Sequence, residues 1–162
     1  MDPSANNPAS PAISPSDFDL MVRTVIGEAG NDPSAPGVAH VILNRLNSGN
    51  FGGNTVPQVV LAKGQFEPWA TRGRELSNIP VNSQPYQDAA KVVSDAVSGR
   101  SPDPTGGATH FLNPSIVMQR RGGSLPSWAQ APIATIGNHS FYAPQGKVVD
   151  PMDAINKAIS DN

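Results

Sequence analysis

Apolar residues recur at helical spacing in four stretches of the chain, and each stretch carries its own start and stop signals. Phe18, Met21, Val22, Val25 and Ala29 follow the i, i+3, i+4, i+7, i+11 pattern of one buried face. The spacing predicts a helix over residues 17–29, with Ser16 as N-cap, Asp17 and Asp19 in the first turn, and Gly30 at the stop. Asp32-Pro33 announces a second helix that runs through VAHVILNRL to near Gly49 and is apolar on most sides, as a central helix would be. Thr55-Val56-Pro57-Gln58 reads as a capping box for a short third helix ending at Gly64. Ser83 caps a fourth, with Tyr86, Ala89, Ala90, Val93, Ala96 and Val97 on one face and Gly99 behind it. Residues 65–69, 109–112 and 135–142 are short, β-branched or aromatic, and flanked by Gly or Pro, which predicts strands or extended loops. Asp150-Pro151 opens a weak terminal helix with Met152, Ile155 and Ile159. Helices outnumber strands, so the expected class is α+β.

The ends read differently from the middle. Residues 1–15 hold Pro3, Pro8, Pro11 and Pro15 among Ser, Ala and Asn, the composition of a linker or docking tail. The expected division is a tail over 1–15, one catalytic domain over 16–145, and a short helix or tail over 146–162. The N-terminus has neither a basic region nor an apolar run, so it does not read as a secretory signal. No stretch approaches the roughly 20 apolar residues of a membrane span, so membrane insertion is not expected. A net charge of −2 gives no electrostatic case for nucleic acid. With no cysteine in the chain, disulfides and thiolate metal sites are excluded.

Charge brings the chemistry into view. Of 13 acidic residues only three are glutamates: Glu28, Glu67 and Glu75. With Phe18 at 0° and 100° per residue, Glu28 falls at about 280°, next to Met21 at about 300°, on the flank of the apolar stripe. It also lies in the last turn, where the helix dipole disfavours a carboxylate. Partial burial and the dipole both push its pKa upward, as a general acid requires. An edge glutamate that solvates the helix end fits the same position.

Five segments in order carry a resemblance. Residues 25–29 (VIGEA) with 37–45 (GVAHVILNR), then 64–69 (GQFEPW), 107–114 (GATHFLNP), and Trp128 with 136–142 (IGNHSFY) resemble the SleB-like cell wall hydrolases, the catalytic domains of spore-cortex-lytic enzymes and related bacterial and phage proteins. The resemblance covers about residues 17–143. It implies a lysozyme-like α+β fold, mainly helical, with a few short strands lining a cleft, acting on the glycan strands of peptidoglycan. Glu28 occupies the family's general-acid position. Many members are lytic transglycosylases, in which the sugar's own 6-hydroxyl attacks the anomeric carbon and leaves a 1,6-anhydro-muramyl end. One carboxyl group then serves as acid and base, whereas a hydrolytic muramidase needs a second carboxylate. Glu67, in an aromatic segment, is the natural second carboxylate or else a residue of the cleft wall. Glu75, in the polar run TRGRELSN, reads as a solvated loop charge.

The substrate-binding candidates are Gln65, Trp69, Thr109, His110, Asn113, His139 and Tyr142, because extended edges present polar groups to a sugar chain. His110 and His139 are equally readable as structural histidines. Asn44 and Arg45 either point into the site or serve as ordinary polar positions of the second helix. Trp69 and Trp128 are each core or sugar platform, with the core favoured for Trp128. Three histidines raise a zinc amidase, but there is no H-x-x-x-H and no Cys, so neither metal nor cofactor is expected. A serine hydrolase lacks its G-x-S-x-G elbow, and no nucleotide-binding glycine loop is present. The implied place of action is the bacterial cell wall, reached by an exported enzyme or by a phage-encoded lysin. A non-catalytic wall-binding or virion module, docked through the N-terminal tail, is the alternative from another class.

Overall fold

The computed structural model of the chain describes residues 13–144; the expected N-terminal tail, except for its last three residues, and the expected terminal helix lie outside the described residues. Helix α1 spans Pro15–Ala29, two residues longer than its pattern predicts. The cap is Ser14 rather than Ser16: its hydroxyl accepts from the Asp17 N–H at 3.1 Å, and Pro15 enters the first turn, where a missing N–H costs nothing. Ile13 packs against the core as well, so the folded unit begins inside the stretch that composition assigns to the tail.

Helix α2, Ala35–Ser48, is the central element that its all-round apolar pattern predicts, with Val38, Ala39, Val41 and Ile42 fully enclosed. The Thr55–Gln58 capping box is formed in both directions and starts α3, Val56–Val60, a single turn that stops short of Gly64. Helix α5, Gln84–Val97, starts at Ser83 and buries Tyr86, Ala89, Val93 and Ala96. It packs with α2, α3 and a further helix, α4 (Glu67–Ser77), around α1, and the main core lies between them.

Two elements differ from expectation. Residues 65–69 are not an extended segment: Glu67 is the first residue of α4, Glu67–Ser77, with Phe66 as an extended N-cap and Pro68 in the first turn. An X-Pro pair reads as extended from sequence. The same proline is equally suited to the start of a helix, and burial of Pro68 and Leu76 against α1 selects that outcome. Glu75 is therefore an exposed helical residue, not a loop charge. The second difference is α6, Pro114–Arg120, where Asn113 caps the Ile116 N–H at 3.2 Å and Pro114 leads.

The strands are β1 (His110–Leu112), β2 (Ala134–Ile136) and β3 (His139–Tyr142), paired antiparallel in the order β1-β3-β2. The expected segment 135–142 is thus a hairpin. Its two-residue turn has Gly137 at φ 54°, a backbone region that a Cβ would strain. A small second cluster of Leu112, Ala129 and Tyr142 lies beside the sheet. Among the described residues no helix is long and apolar enough to cross a membrane.

Candidate active site

The last turn of α1, the start of α4, strand β1, helix α6 and the β2–β3 hairpin enclose a cleft of about 740 Å³. Glu28, Arg45, Gln65, Glu67, Asn113 and His139 all line it. Glu28 reaches the wall because α4 lies against the end of α1 with almost no gap. A Cβ at Gly27 would stand 2.8 Å from Pro68 Cβ and 3.1 Å from a Leu76 methyl. Only a glycine lets the two helices meet here. The contact is completed by Arg72, at a kink in α4, whose guanidinium donates to the Gly27 carbonyl at 2.9 Å.

Burial is the main reason that the Glu28 carboxyl is pushed up to about 7, and the negative charge of Glu67 adds to it. Arg45 and Arg72 pull in the other direction without winning. None of the ion pairs among the described residues uses Glu28. Glu67, by contrast, is exposed and held by Arg120 of α6, whose Nη1 donates to both carboxylate oxygens at 3.1 and 3.0 Å. Two carboxylates thus share one cleft with different environments, one half-buried and one exposed.

Arg45 is the buried cation of the site. Its Nε donates to the Thr109 carbonyl at 2.7 Å and its Nη1 to Gln65 Oε1 at 3.0 Å. The guanidinium lies over Phe51 and Phe66, 4.6 and 5.1 Å from the ring centroids. Burial lowers it to about 10, with the Glu28 carboxylate opposing, so it remains charged at neutral pH. Of the two open readings for this pair, Arg45 points into the site. Asn44 ties down a loop, donating to Asp103 and to the Ala108 carbonyl, both at 2.9 Å.

His139 is positioned from the opposite wall. Its Nδ1 lies 2.8 Å from the hydroxyl of Ser34, which is fully buried at the head of α2. This explains why Ser34 makes no side-chain cap for its own helix. Asp32 accepts from the N–H groups of Ser34 and Asn138 at 3.0 and 3.2 Å. Ser34, through its side chain first and its backbone second, holds Asp32 below the usual carboxylate range. Burial pushes His139 down, with Asp32 acting against it.

Four predicted substrate contacts do not line this cleft. Trp69 donates its indole N–H to Thr24 Oγ1 at 2.8 Å and borders a separate shallow depression with Leu20 and Leu61. Thr109 is buried, and its hydroxyl pairs with His110 Nδ1 at 3.0 Å. Tyr142 is buried beneath Trp128, and His110 lies between Phe51 and Trp128. Trp128 is 37% exposed, so it is a surface residue and not the core residue its sequence favours. The three histidines stay apart, with His40 against Ser101, and no group of three His, Cys, Asp or Glu among the described residues is placed to hold a metal. Phe111, from the 107–114 motif, lines the cleft too, and Arg72 and Arg120 line it without having been singled out as site residues.

Comparison with known proteins identifies the family. The family described as "Cell Wall Hydrolase" matches residues 34–142, a range that begins just after Glu28. A spore cortex-lytic enzyme of Halalkalibacterium halodurans is 37% identical over 130 residues, covering 79% of this chain and 35% of that protein. One from Oceanobacillus iheyensis is 36% identical over 141 residues, covering 86% and 45%. The chain therefore spans less than half the length of these curated relatives. Among solved structures, the catalytic domain of Bacillus cereus SleB superposes with a TM-score of 0.64 at 30% identity, over 85% of this chain and 97% of that one. The catalytic domain of the germination-specific lytic transglycosylase SleB from Bacillus anthracis gives 0.62 at 31%, over 82% and 98%. The lysozyme-like α+β fold implied by the sequence motifs is the fold observed. Profile, relatives and fold agree: the chain belongs to the cell wall hydrolase family.

Proposed function

We propose that this chain cleaves the glycan strand of bacterial peptidoglycan as a lytic transglycosylase, with Glu28 as general acid and then base. The observation that carries the reading is the half-buried Glu28 carboxyl, still half protonated near pH 7, on the wall of an open cleft. Glu28 donates its proton to the glycosidic oxygen as the bond to the anomeric carbon breaks. The 6-hydroxyl of the resulting oxocarbenium-like sugar then attacks that carbon and returns a proton to Glu28. The products are a 1,6-anhydro end and a new free end, and the enzyme is back in its starting state. His139, Gln65 and Asn113 hold sugar hydroxyl and acetamido groups, and the scheme needs no cofactor. The lytic transglycosylase named among the similar structures supports the same reading.

Hydrolysis is the second reading, favoured by one observation: Glu67 lines the same cleft and could activate a water. Mass spectrometry of digested muropeptides separates the two. Transglycosylation adds no water, while hydrolysis adds one, and products that all carry reducing ends would overturn the transglycosylase assignment. Clearing of a peptidoglycan suspension by the wild-type chain and by Glu28→Gln tests the acid. Strong clearing by the first and a loss of roughly a hundredfold or more in the second is expected. Equal clearing by both would refute the role of Glu28, and no clearing by either would favour a wall-binding module.

A further inference from the structure

Resting on the reading that a glycan strand is the substrate, we propose that Phe51, His110 and Trp128 form a saccharide subsite that continues the catalytic cleft. The three rings stand in sequence, with centroids 5.4 Å apart from Phe51 to His110 and 5.3 Å from His110 to Trp128. The row begins at the cleft itself, because the guanidinium over Phe51 is that of Arg45, which lines the cleft together with Glu28. It ends at Trp128, which rests edge-on against buried Tyr142 at 88° and is 37% exposed.

The chemistry of this surface suits a sugar chain. A pyranose presents C–H groups on its faces and hydroxyl or acetamido groups around its rim. A flat ring can cover the face while the rim keeps its hydrogen bonds to water. His110 adds no charge of its own at neutral pH, since burial and the nearby Arg45 both push it below the usual imidazole range. A polymer cut in the cleft must extend beyond it, and the row of rings starts against Arg45 on the cleft wall. The competing account is that Trp128 only covers the small cluster of Leu112, Ala129 and Tyr142.

Soluble, peptide-free glycan strands added to the Glu28→Gln, Trp69→Phe chain would report on Trp128 as its one remaining indole. A saturable fluorescence change is expected, and Trp128→Leu, which keeps an apolar cover over Tyr142, should weaken binding of the strands (followed by calorimetry) roughly tenfold. In the chain that retains Glu28, the same change should raise KM for long strands while leaving kcat in place. Phe51→Leu, at the other end of the row, should show the same loss and substitutes if Trp128→Leu does not fold. Unchanged affinity and KM in folded Trp128→Leu and Phe51→Leu would overturn the subsite, whatever the change in melting temperature. Strand binding that depends on Trp128 in a chain without lytic activity would uphold the subsite while refuting the catalytic reading.

Discussion

Replacing Glu28 by Gln should stabilise the folded chain at alkaline pH, and by a predictable amount. Burial and Glu67 raise this carboxyl from 4.5 to about 7 in the fold. Between those values the native state holds a proton that the unfolded chain has released, so stability falls as pH rises through the interval and levels off above it. At about 1.4 kcal/mol per pH unit, the wild-type chain loses about 3 kcal/mol on going from pH 4 to pH 8 through this one group. Glutamine keeps the shape and has no proton to lose. Urea unfolding of both chains at several pH values between 4 and 8 would show the two stabilities close together at the acid end. They should then diverge until Glu28→Gln is more stable by about 3 kcal/mol at the alkaline end. On the proposed mechanism the same proton sets the chemistry, so lytic activity of the wild type should fall away above about pH 7. Parallel stability curves for the two proteins would refute the argument, because they would mean that Glu28 ionises as freely in the fold as outside it.

Three further outcomes follow from the cleft's geometry. Glu67→Gln removes the negative charge that helps to keep Glu28 protonated, so the alkaline limb of the activity profile should move to lower pH with activity retained; complete loss of activity would instead favour the hydrolytic reading. Gly27→Ala should destabilise the chain by about 1–3 kcal/mol in urea unfolding, because its Cβ meets Pro68 and Leu76, and this outweighs the gain of up to about 1 kcal/mol in helix propensity. Ser34→Ala leaves the buried Nδ1 of His139 without a partner and should cost about 1–3 kcal/mol, with a change in the nitrogen chemical shifts of the His139 ring that His40 and His110 do not share.

The parts of the fold that announce themselves in sequence are those with local causes. The capping box at Thr55, the Ser83 cap and the apolar faces of α1, α2 and α5 are set by neighbours a few residues away, and they stand where their patterns place them. The pattern leads astray where one dipeptide serves two structures. Glu67-Pro68 lies in a segment that reads as extended and Asn113-Pro114 directly follows one, yet each opens a helix because tertiary contact or a cap supplies what the backbone needs. For the site, the position of Glu28 on the helical wheel was legible, and so was Gln65, Asn113 and His139 as polar residues of nearby segments. Which polar groups at and around strands β1 and β3 face the cleft was not. Thr109 and Tyr142 are polar residues that turn inward, while Arg45 is the one charged residue of the mostly apolar α2. Only long-range partners, Thr109 and Gln65 for the arginine and Trp128 for the tyrosine, decide those directions.

One close contact links these features into a functional unit. A general acid at a helix end needs little water around it, yet a helix end is where the chain normally meets solvent. Here Gly27 removes the side chain that would hold α4 away, and Pro68 starts α4 at the point of contact. The same approach brings Glu67 and Arg72 beside Glu28 from one side, while Arg45 reaches it from α2. Burial and Glu67 raise the carboxyl, and the two arginines limit that rise, so the group sits near neutrality instead of being locked in its protonated form. A carboxyl poised there can give up a proton and take one back within a single cycle, which is what a mechanism with one catalytic glutamate demands. On the proposed mechanism, Glu28 alone among the three glutamates carries the chemistry, and the packing around it is what raises its carboxyl.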